Sequence, residues 1–360
     1  MFGRKKNILS LFLSGSFALI ASASGESACA QAAPAAAPAG GPASYTGADR
    51  QQRLMEGAKK EGELMLYTSI QASDFADVAA AFEKKYGVKI KVWRSGSENI
   101  LQRAVTEGRA GRYDADIVET SGPELESLHR EKMLQKVASP YLGDLIEQAI
   151  PPHGEWIGTR LDIFTFAYNT KLVKKEDLPK TYEDLLDPKW KGKLGIEADD
   201  SDWFASVVNQ LGEEKGVRLF RAIVAVNGVS VRKGHTLLMN MVSSGEVPLA
   251  MDIYNYKAEQ MKNQGVPVDW FAITPAIAAP QAVAMFRRAP HPNAAVLFFD
   301  FMLSDAQPIL QNHHFVMSGK KMKTALSEMP LKFIDSKVTL DENDKWSKLF
   351  EDIFIKHARK

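Results

Sequence analysis

Hydrophobic positions recur along this chain with two different periods, and each change of period marks an element. Residues 64–69 form a short apolar run, read as a strand. From 73 to 86 the spacing turns helical, with Phe75, Val78, Ala79 and Phe82 on one face and Gly87 as the stop. A second strand at 88–94 alternates Val88, Ile90 and Val92 against Lys89 and Lys91. Ser97 can cap a helix over 98–107. Residues 115–119 form a third strand and 124–131 its helix. This β-α-β-α-β-α order predicts a parallel, doubly wound sheet, an α/β fold.

A second series follows, with strands at 194–197, 229–232 and 249–253 and helices at 203–211, 214–226, 237–243 and from 254 onward. Between the two series lies a long alternating strand, 159–168, with Leu161, Ile163, Thr165 and Ala167 in one set and no helix of its own. It is a candidate crossover between two lobes, and 268–274 is a candidate return. A strand at 282–287 and helices at 291–303 and 304–312 come next. A C-terminal helix over 341–360 carries Trp346, Leu349, Phe350, Ile353 and Phe354 on one face. The expected organisation is lobe 1 over 49–160, lobe 2 over 161–270, and a return to lobe 1 over 271–360 that includes the C-terminal helices.

The stretch from Pro248 to Tyr256 changes this from a fold to a site. A buried strand runs directly into a helix there, so Asp252, Tyr254 and Tyr256 fall at the strand's carboxyl end. In open α/β sheets ligands bind at that end. Other polar strand-to-helix turns lie at equivalent places: Ser69 to Gln71, Ser95 to Ser97, Thr120 and Ser121, Asp199 to Asp202, and Gly234 to Thr236. Each exposes helix N-terminal amides, and each also reads as plain helix capping. Asp199, Asp200 and Asp202 put three carboxylates within four residues, suited to a cation or a hydroxylated ligand and hostile to phosphate. Trp203 follows them, as ligand-stacking ring or core. His313 and His314 are adjacent, about 100° apart on a helix, and read as structural or surface residues.

Composition narrows the classes. With 360 residues and a formal charge of +1, neither nucleic acid nor an anionic membrane is a natural partner. Arg4, Lys5 and Lys6, an apolar run over 8–23, and Ala30-Gln31-Ala32 make residues 1–32 a cleavable signal peptide, so the periplasm is the expected location. Residues 33–48 read as a flexible Ala/Pro leader. Cys29, the single cysteine, precedes the cut, which leaves no disulfide. Glu26 stands where a lipoprotein signal wants an apolar residue. The common catalytic motifs are missing: no Gly-x-Ser-x-Gly, His-Glu-x-x-His, Cys-x-x-Cys, Walker loop or Gly-x-Gly-x-x-Gly.

The chain resembles the extracellular solute-binding proteins of bacterial ABC importers, of the ferric-ion-binding kind with the two-lobed type 2 periplasmic binding protein fold. The resemblance is carried by Leu64-Met-Leu-Tyr-Thr-Ser69, Ala81-Phe-Glu-Lys-Lys-Tyr-Gly-Val-Lys-Ile90, Tyr113-Asp-Ala-Asp-Ile117, Ala167-Tyr-Asn-Thr-Lys171, Asp187-Pro-Lys-Trp-Lys-Gly-Lys193, Ser244-Gly-Glu246 and Asp252-Ile-Tyr-Asn-Tyr256. It implies two doubly wound lobes joined by two crossover strands, closing on one small ligand for delivery to an inner-membrane permease, in a monomer that is not an enzyme. It also implies cleft residues: Gln71 at an early histidine position, Ser121 near a carboxylate position with Glu119 close by, the acidic loop with Asp202 and Trp203 at the anion side, and His235 at a polar position. Tyr254 and Tyr256 fall at the paired-tyrosine position and are the candidate metal ligands, with Fe3+ as transported cargo. Ferric iron wants anionic oxygen donors, and the relatives' usual ligand set is incomplete here. A small organic or phosphorylated solute therefore stays open as the ligand. A secreted hydrolase using His235 and Asp202 as acid and base is the competing class.

Overall fold

The first three strands each run into an amphipathic helix. The structure, a computed structural model, describes residues 41–356. The expected signal peptide with Cys29 and the first part of the leader lie outside the described residues. After α1 (Arg50–Glu61), β1 (Glu63–Thr68) leads to α2 (Ala72–Tyr86), which buries Phe75, Val78 and Phe82 and carries Lys84 and Lys85 at the negative end of its dipole. Gly87 closes it in the left-handed conformation, φ 68°, returning its N–H to Glu83. Then come β2 (Lys89–Arg94), α3 (Ser97–Arg109), β3 (Ile117–Ser121), α4 (Gly122–Arg130) and β4 (Leu134–Gln135). β1 pairs in parallel with β2 and β3. β2 is the sheet edge, so Val92, expected inward, is 45% exposed.

β5 (Trp156–Asn169) joins the halves and is buried along its whole length. The second half adds β6 (Leu194–Glu197), α5 (Ser201–Leu211), α6 (Glu213–Asn227), β7 (Ser230–Arg232), α7 (His235–Ser244), β8 (Leu249–Tyr254), α8 (Asn255–Asn263) and β9 (Val268–Phe271). β10 (Ala276–Phe286), α9 (Pro292–Leu303), α10 (Ala306–Asn312), β11 (Val316–Met317), β12 (Leu331–Phe333), α11 (Ser336–Asp341) and α12 (Asn343–Phe350) complete the chain. A π turn over Glu351–Ile355 extends α12.

The strand order is β2-β1-β3-β10-β5-β8-β6-β7. β5 serves both sheets. Its first part pairs antiparallel with β10, and its second part with β8 and β9. The return strand expected over 268–274 stops at Phe271 within the second sheet, and residues 272–275 carry the chain back to β10. The two-lobed type 2 architecture is thus built on β5 and this short return.

The C-terminal helix, assigned above to the first lobe, lies on the second. Phe350 and Phe354 pack edge-on against Phe204 at 5.9 and 5.6 Å, and Phe354 against Phe220 at 5.9 Å. Lys345–Glu213 and Arg221–Asp352 ion pairs, each 2.6 Å, flank the contact. α11 just before it stays on the first lobe, where Arg130 meets Asp341 at 2.5 Å. The apolar stripe dictates that the helix is buried. The aromatic surface of α5 and α6 dictates where.

Candidate functional site

The candidate site is built where β5 meets β3 and β8: Arg160 of β5 reaches Glu119 of β3, and Phe164 of β5 pairs with Tyr254 of β8. Strand alternation puts Arg160 and Asp162 on the face opposite Leu161 and Ile163. Both charges are buried, at 2% and 3% exposure. Arg160 Nη1 donates to Glu119 of β3, and its Nε lies 3.7 Å from Asp162 Oδ1. Burial opposes the charge on Arg160, but Glu119 and Asp162 outweigh it and hold the guanidinium ionised. Burial raises the Asp162 carboxyl, with Arg160 pulling the other way. Its Oδ1 makes no hydrogen bond.

β8 and α8 supply the two phenols. The rings of Tyr254 and Tyr256 lie 6.1 Å apart and 14° from parallel. Tyr254 is flanked by Phe164 at 4.9 Å and by His235 at 3.8 Å. Tyr256 packs on Phe315 at 4.2 Å, with Lys257 Nζ 5.1 Å from its ring centre. Burial pushes both phenols well above their ordinary value of 10.0. Asp200, Asp162 and Asp202 add to this at Tyr254, and Asp162 adds to it at Tyr256. Both are therefore protonated at neutral pH, and only a strong cation would make them phenolates.

The third wall comes from the turns after β6 and β7. Glu197, Asp200 and His235 each bring a donor atom within 4.8 Å of the others. Glu197 is braced by the N–H of Gly234 at 2.6 Å and of Asp199. His235 Nε2 is 3.3 Å from Asp200 Oδ1, and its Nδ1 has no hydrogen-bond partner. Burial lowers His235 to about 4, so it is a neutral imidazole with a free lone pair. Asp200 and Asp252 interact side by side beneath it. Burial lifts both well above the ordinary carboxylate value, reinforced at Asp200 by Glu197 and Asp202 and at Asp252 by Asp200 and Glu197, and the hydrogen bond between the two carboxyls keeps a proton in the pair.

Of the residues expected in the cleft, Tyr254, Tyr256 and His235 come together. Asp202 lies at the cleft end of α5 with one oxygen accepting from the Trp203 N–H at 2.7 Å, and burial raises its carboxyl. Ser121 ends β3 and donates to Glu124, one turn into α4. Burial is the largest influence on Glu124 and lifts it to about 7. The Ser121 bond opposes this, and Asp202 of the other lobe adds to it. Gln71 caps α2 through its backbone, accepting from the N–H groups of Asp74 and Phe75 at 3.0 Å, and its side chain makes no hydrogen bond to the other candidates. Trp203 does not face the cleft. It is 1% exposed in the second lobe's core, edge-on to Phe220 at 5.9 Å. Adjacent residues on α5 point about 100° apart, so with Asp202 at the cleft Trp203 turns inward.

Arg160, Asp162, Glu197 and Glu124 were not named by sequence reasoning. The available signal was two charges, Arg160 and Asp162, inside a strand otherwise long and apolar enough to cross between lobes. His313 and His314, read as structural, join the lobes. Gln260 of α8 donates to the His313 carbonyl and to Asp74 of α2, both at 3.1 Å, and Asn263 meets His314 Nε2 at 2.9 Å.

The cleft thus offers two phenols, several carboxylates and one neutral imidazole, a hard, oxygen-rich donor set of the kind a trivalent cation prefers. Among the described residues, the family model for bacterial extracellular solute-binding proteins matches 68–307. The chain is similar to "Iron uptake protein A1" of Synechocystis sp., 25% identical over 292 residues, 74% of this chain and 79% of that one. It is also similar to the "Fe(3+)-binding periplasmic protein" of Serratia marcescens, 26% identical over 203 residues, 56% of this chain and 59% of that one. In fold it matches iron-bound HitA from Pseudomonas aeruginosa with a TM-score of 0.71 at 24% identity, covering 81% of this chain and 99% of that structure.

Proposed function

Since the chain belongs to the bacterial extracellular solute-binding proteins, we propose that it captures ferric iron in the periplasm and delivers it to the permease of an ABC importer. The observation that carries the cargo is the pairing of Tyr254 and Tyr256 over a wall of carboxylates at the junction of the lobes. Tyr254, Tyr256, Asp162, Asp200 and His235 are the proposed ligands. Contacts made in both lobes favour the closed state over the open one, which is how binding becomes a signal that a permease can read.

The expected acid–base couple does not form, because His235 is paired with Asp200 and not with Asp202. The Asp202 carboxylate is engaged with its own helix terminus. A phosphorylated solute fits poorly, because Asp199, Asp200, Asp202 and Glu197 surround the turn where an anion would dock.

The test is a visible spectrum of the purified protein titrated with ferric citrate. A tyrosinate-to-iron absorption band is expected, and it should be weakened in Tyr256→Phe, whose ring keeps its packing on Phe315, and lost when Tyr254 is replaced as well. A flat spectrum at saturating ferric citrate rejects iron as cargo and leaves the solute-binding fold in place.

A further inference from the structure

A second cluster of metal-ligating side chains lies on the first lobe, away from the cleft. Glu126 and His129 stand three residues apart on α4 and so share a face. His153, in the turn before β5, meets them there, and one donor atom from each lies within 4.8 Å of the others. His153 Nε2 is 3.1 Å from Glu126 Oε2, and the two imidazoles stack at 3.8 Å. The side chains are 10%, 28% and 19% exposed for Glu126, His129 and His153, so the cluster is walled by protein on one side and open to water on the other. His129 lies about 12 Å along α4 from Ser121 at the cleft, at 1.5 Å per residue.

We propose that Glu126, His129 and His153 form a binding site for a divalent ion of the zinc class, separate from the cargo cleft. Two imidazoles and a carboxylate are a donor set for such ions, with water completing the tetrahedron. Glu155 is placed as such a site needs, while Arg130 Nε, 3.5 Å from Glu126 Oε1, would share that carboxylate with the ion. Glu155 Oε2 lies 2.8 Å from His129 Nδ1, and Glu155 Oε1 is held by Arg287 at 3.3 Å. A carboxylate on Nδ1 keeps the proton there and leaves Nε2 free as the ligand atom. His153 Nδ1 accepts the Glu155 N–H at 3.1 Å, so in the metal-free form its proton sits on Nε2, toward Glu126. Loading requires the ring to swing off that amide and carry its one proton on Nδ1, with no net change in proton number. The ion would fasten the turn before β5 to α4.

The experiment is calorimetric titration of chelator-stripped protein with Zn2+ at pH 7.5, repeated with Co2+ while ligand-field absorption is followed. A stoichiometric site is expected in wild type, with a tetrahedral cobalt spectrum. His129→Gln and His153→Gln should each weaken it at least 10-fold. Glu155→Gln, which removes no ligand, should weaken it about 10-fold. Because His153 is in a turn, its variant tests the idea even if a change on α4 disturbs folding. His235→Gln and Tyr256→Phe should leave zinc binding unchanged, so failure here is separable from failure of the iron reading. Zinc binding that survives His129→Gln and His153→Gln but is lost in His235→Gln would place the ion in the cleft and overturn the proposal. Absence of stoichiometric zinc binding would overturn it equally.

Discussion

Replacing Glu124 by Gln tests the electrostatics of the cleft without any ligand. In the folded protein this carboxyl titrates at about 7 against an ordinary value of 4.5, chiefly through burial and then through Asp202 across the cleft. Folding therefore binds a proton over that interval. For an acid with a raised folded-state pKa, the stabilisation is complete below the unfolded value and is lost as pH rises through the folded one. The shift of 7 − 4.5 units, at about 1.36 kcal/mol per unit, makes this loss about 3 kcal/mol between pH 4.5 and pH 7. Glutamine keeps the shape and an oxygen for Ser121 but carries no charge. Glu124→Gln should match wild type near pH 4 and exceed it by about 3 kcal/mol at pH 8. Urea unfolding of both proteins in the metal-free form, at unit intervals from pH 4 to 8, gives the difference directly. The comparison is needed because other groups titrate in the same window: Asp162, Asp200, Asp202 and Asp252 are raised and act with Glu124. His235, lowered to about 4, acts in the opposite sense, losing stability as pH falls below its ordinary 6.5. A gap that does not vary with pH, or a variant weaker than wild type at pH 8, would refute the burial of the Glu124 carboxyl.

Ferric loading from nitrilotriacetate at pH 7 should release one proton per phenol, countable by calorimetry in buffers of different ionisation heat. An ordinary phenol costs about 4 kcal/mol to ionise at pH 7, and burial adds to that. Tyr254→Phe and Tyr256→Phe should each release one proton fewer, and an unchanged count removes that tyrosine from the site. Phe350→Ala should lower unfolding stability by about 3–5 kcal/mol, the usual cost for a buried Phe, since Phe350 is 2% exposed against Phe204 and Phe354. A loss below about 1 kcal/mol would mean that α12 does not pack on the second lobe.

The elements were legible because each signals itself locally. A run such as Leu64 to Thr68 has no helical face, and the 3.6-residue spacing of Phe75, Val78 and Phe82 has no strand face. The crossover was legible for the same reason, as a long strand without a partner helix. What the chain contacts at a distance was not. Trp346, Phe350 and Phe354 announce a buried helix, yet the choice between lobes rests on Phe204 and Phe220, more than a hundred residues earlier. Trp203 was misplaced by one residue's rotation, because Asp202 marks the cleft and its neighbour on a helix cannot share that direction. Alternating charges in a strand ordinarily mark a solvent face. Arg160 and Asp162 fit that pattern, but β5 is flanked by β10 and β8 and buried along its whole length, so the polar face is turned inward.

The formal charge of +1 also concealed the site, since an average over the chain says nothing about segregation. Within the cleft the carboxyls of Asp162, Asp200, Asp202, Asp252 and Glu124 are all shifted upward, and burial leads in every case. Upward shifts mean that the site favours protonated carboxyls, with the Asp200–Asp252 pair holding one proton and Glu124 close to half-protonated at neutral pH. On the ferric reading, a cation that enters displaces those protons and the two phenolic ones, which makes capture an exchange of protons for metal. Acid should then drive the exchange backward, steeply, because several protons act together. A weakly charged ligand could not offset the cost of ionising this many buried groups. A small trivalent ion can, because its charge stabilises every ionised donor at once.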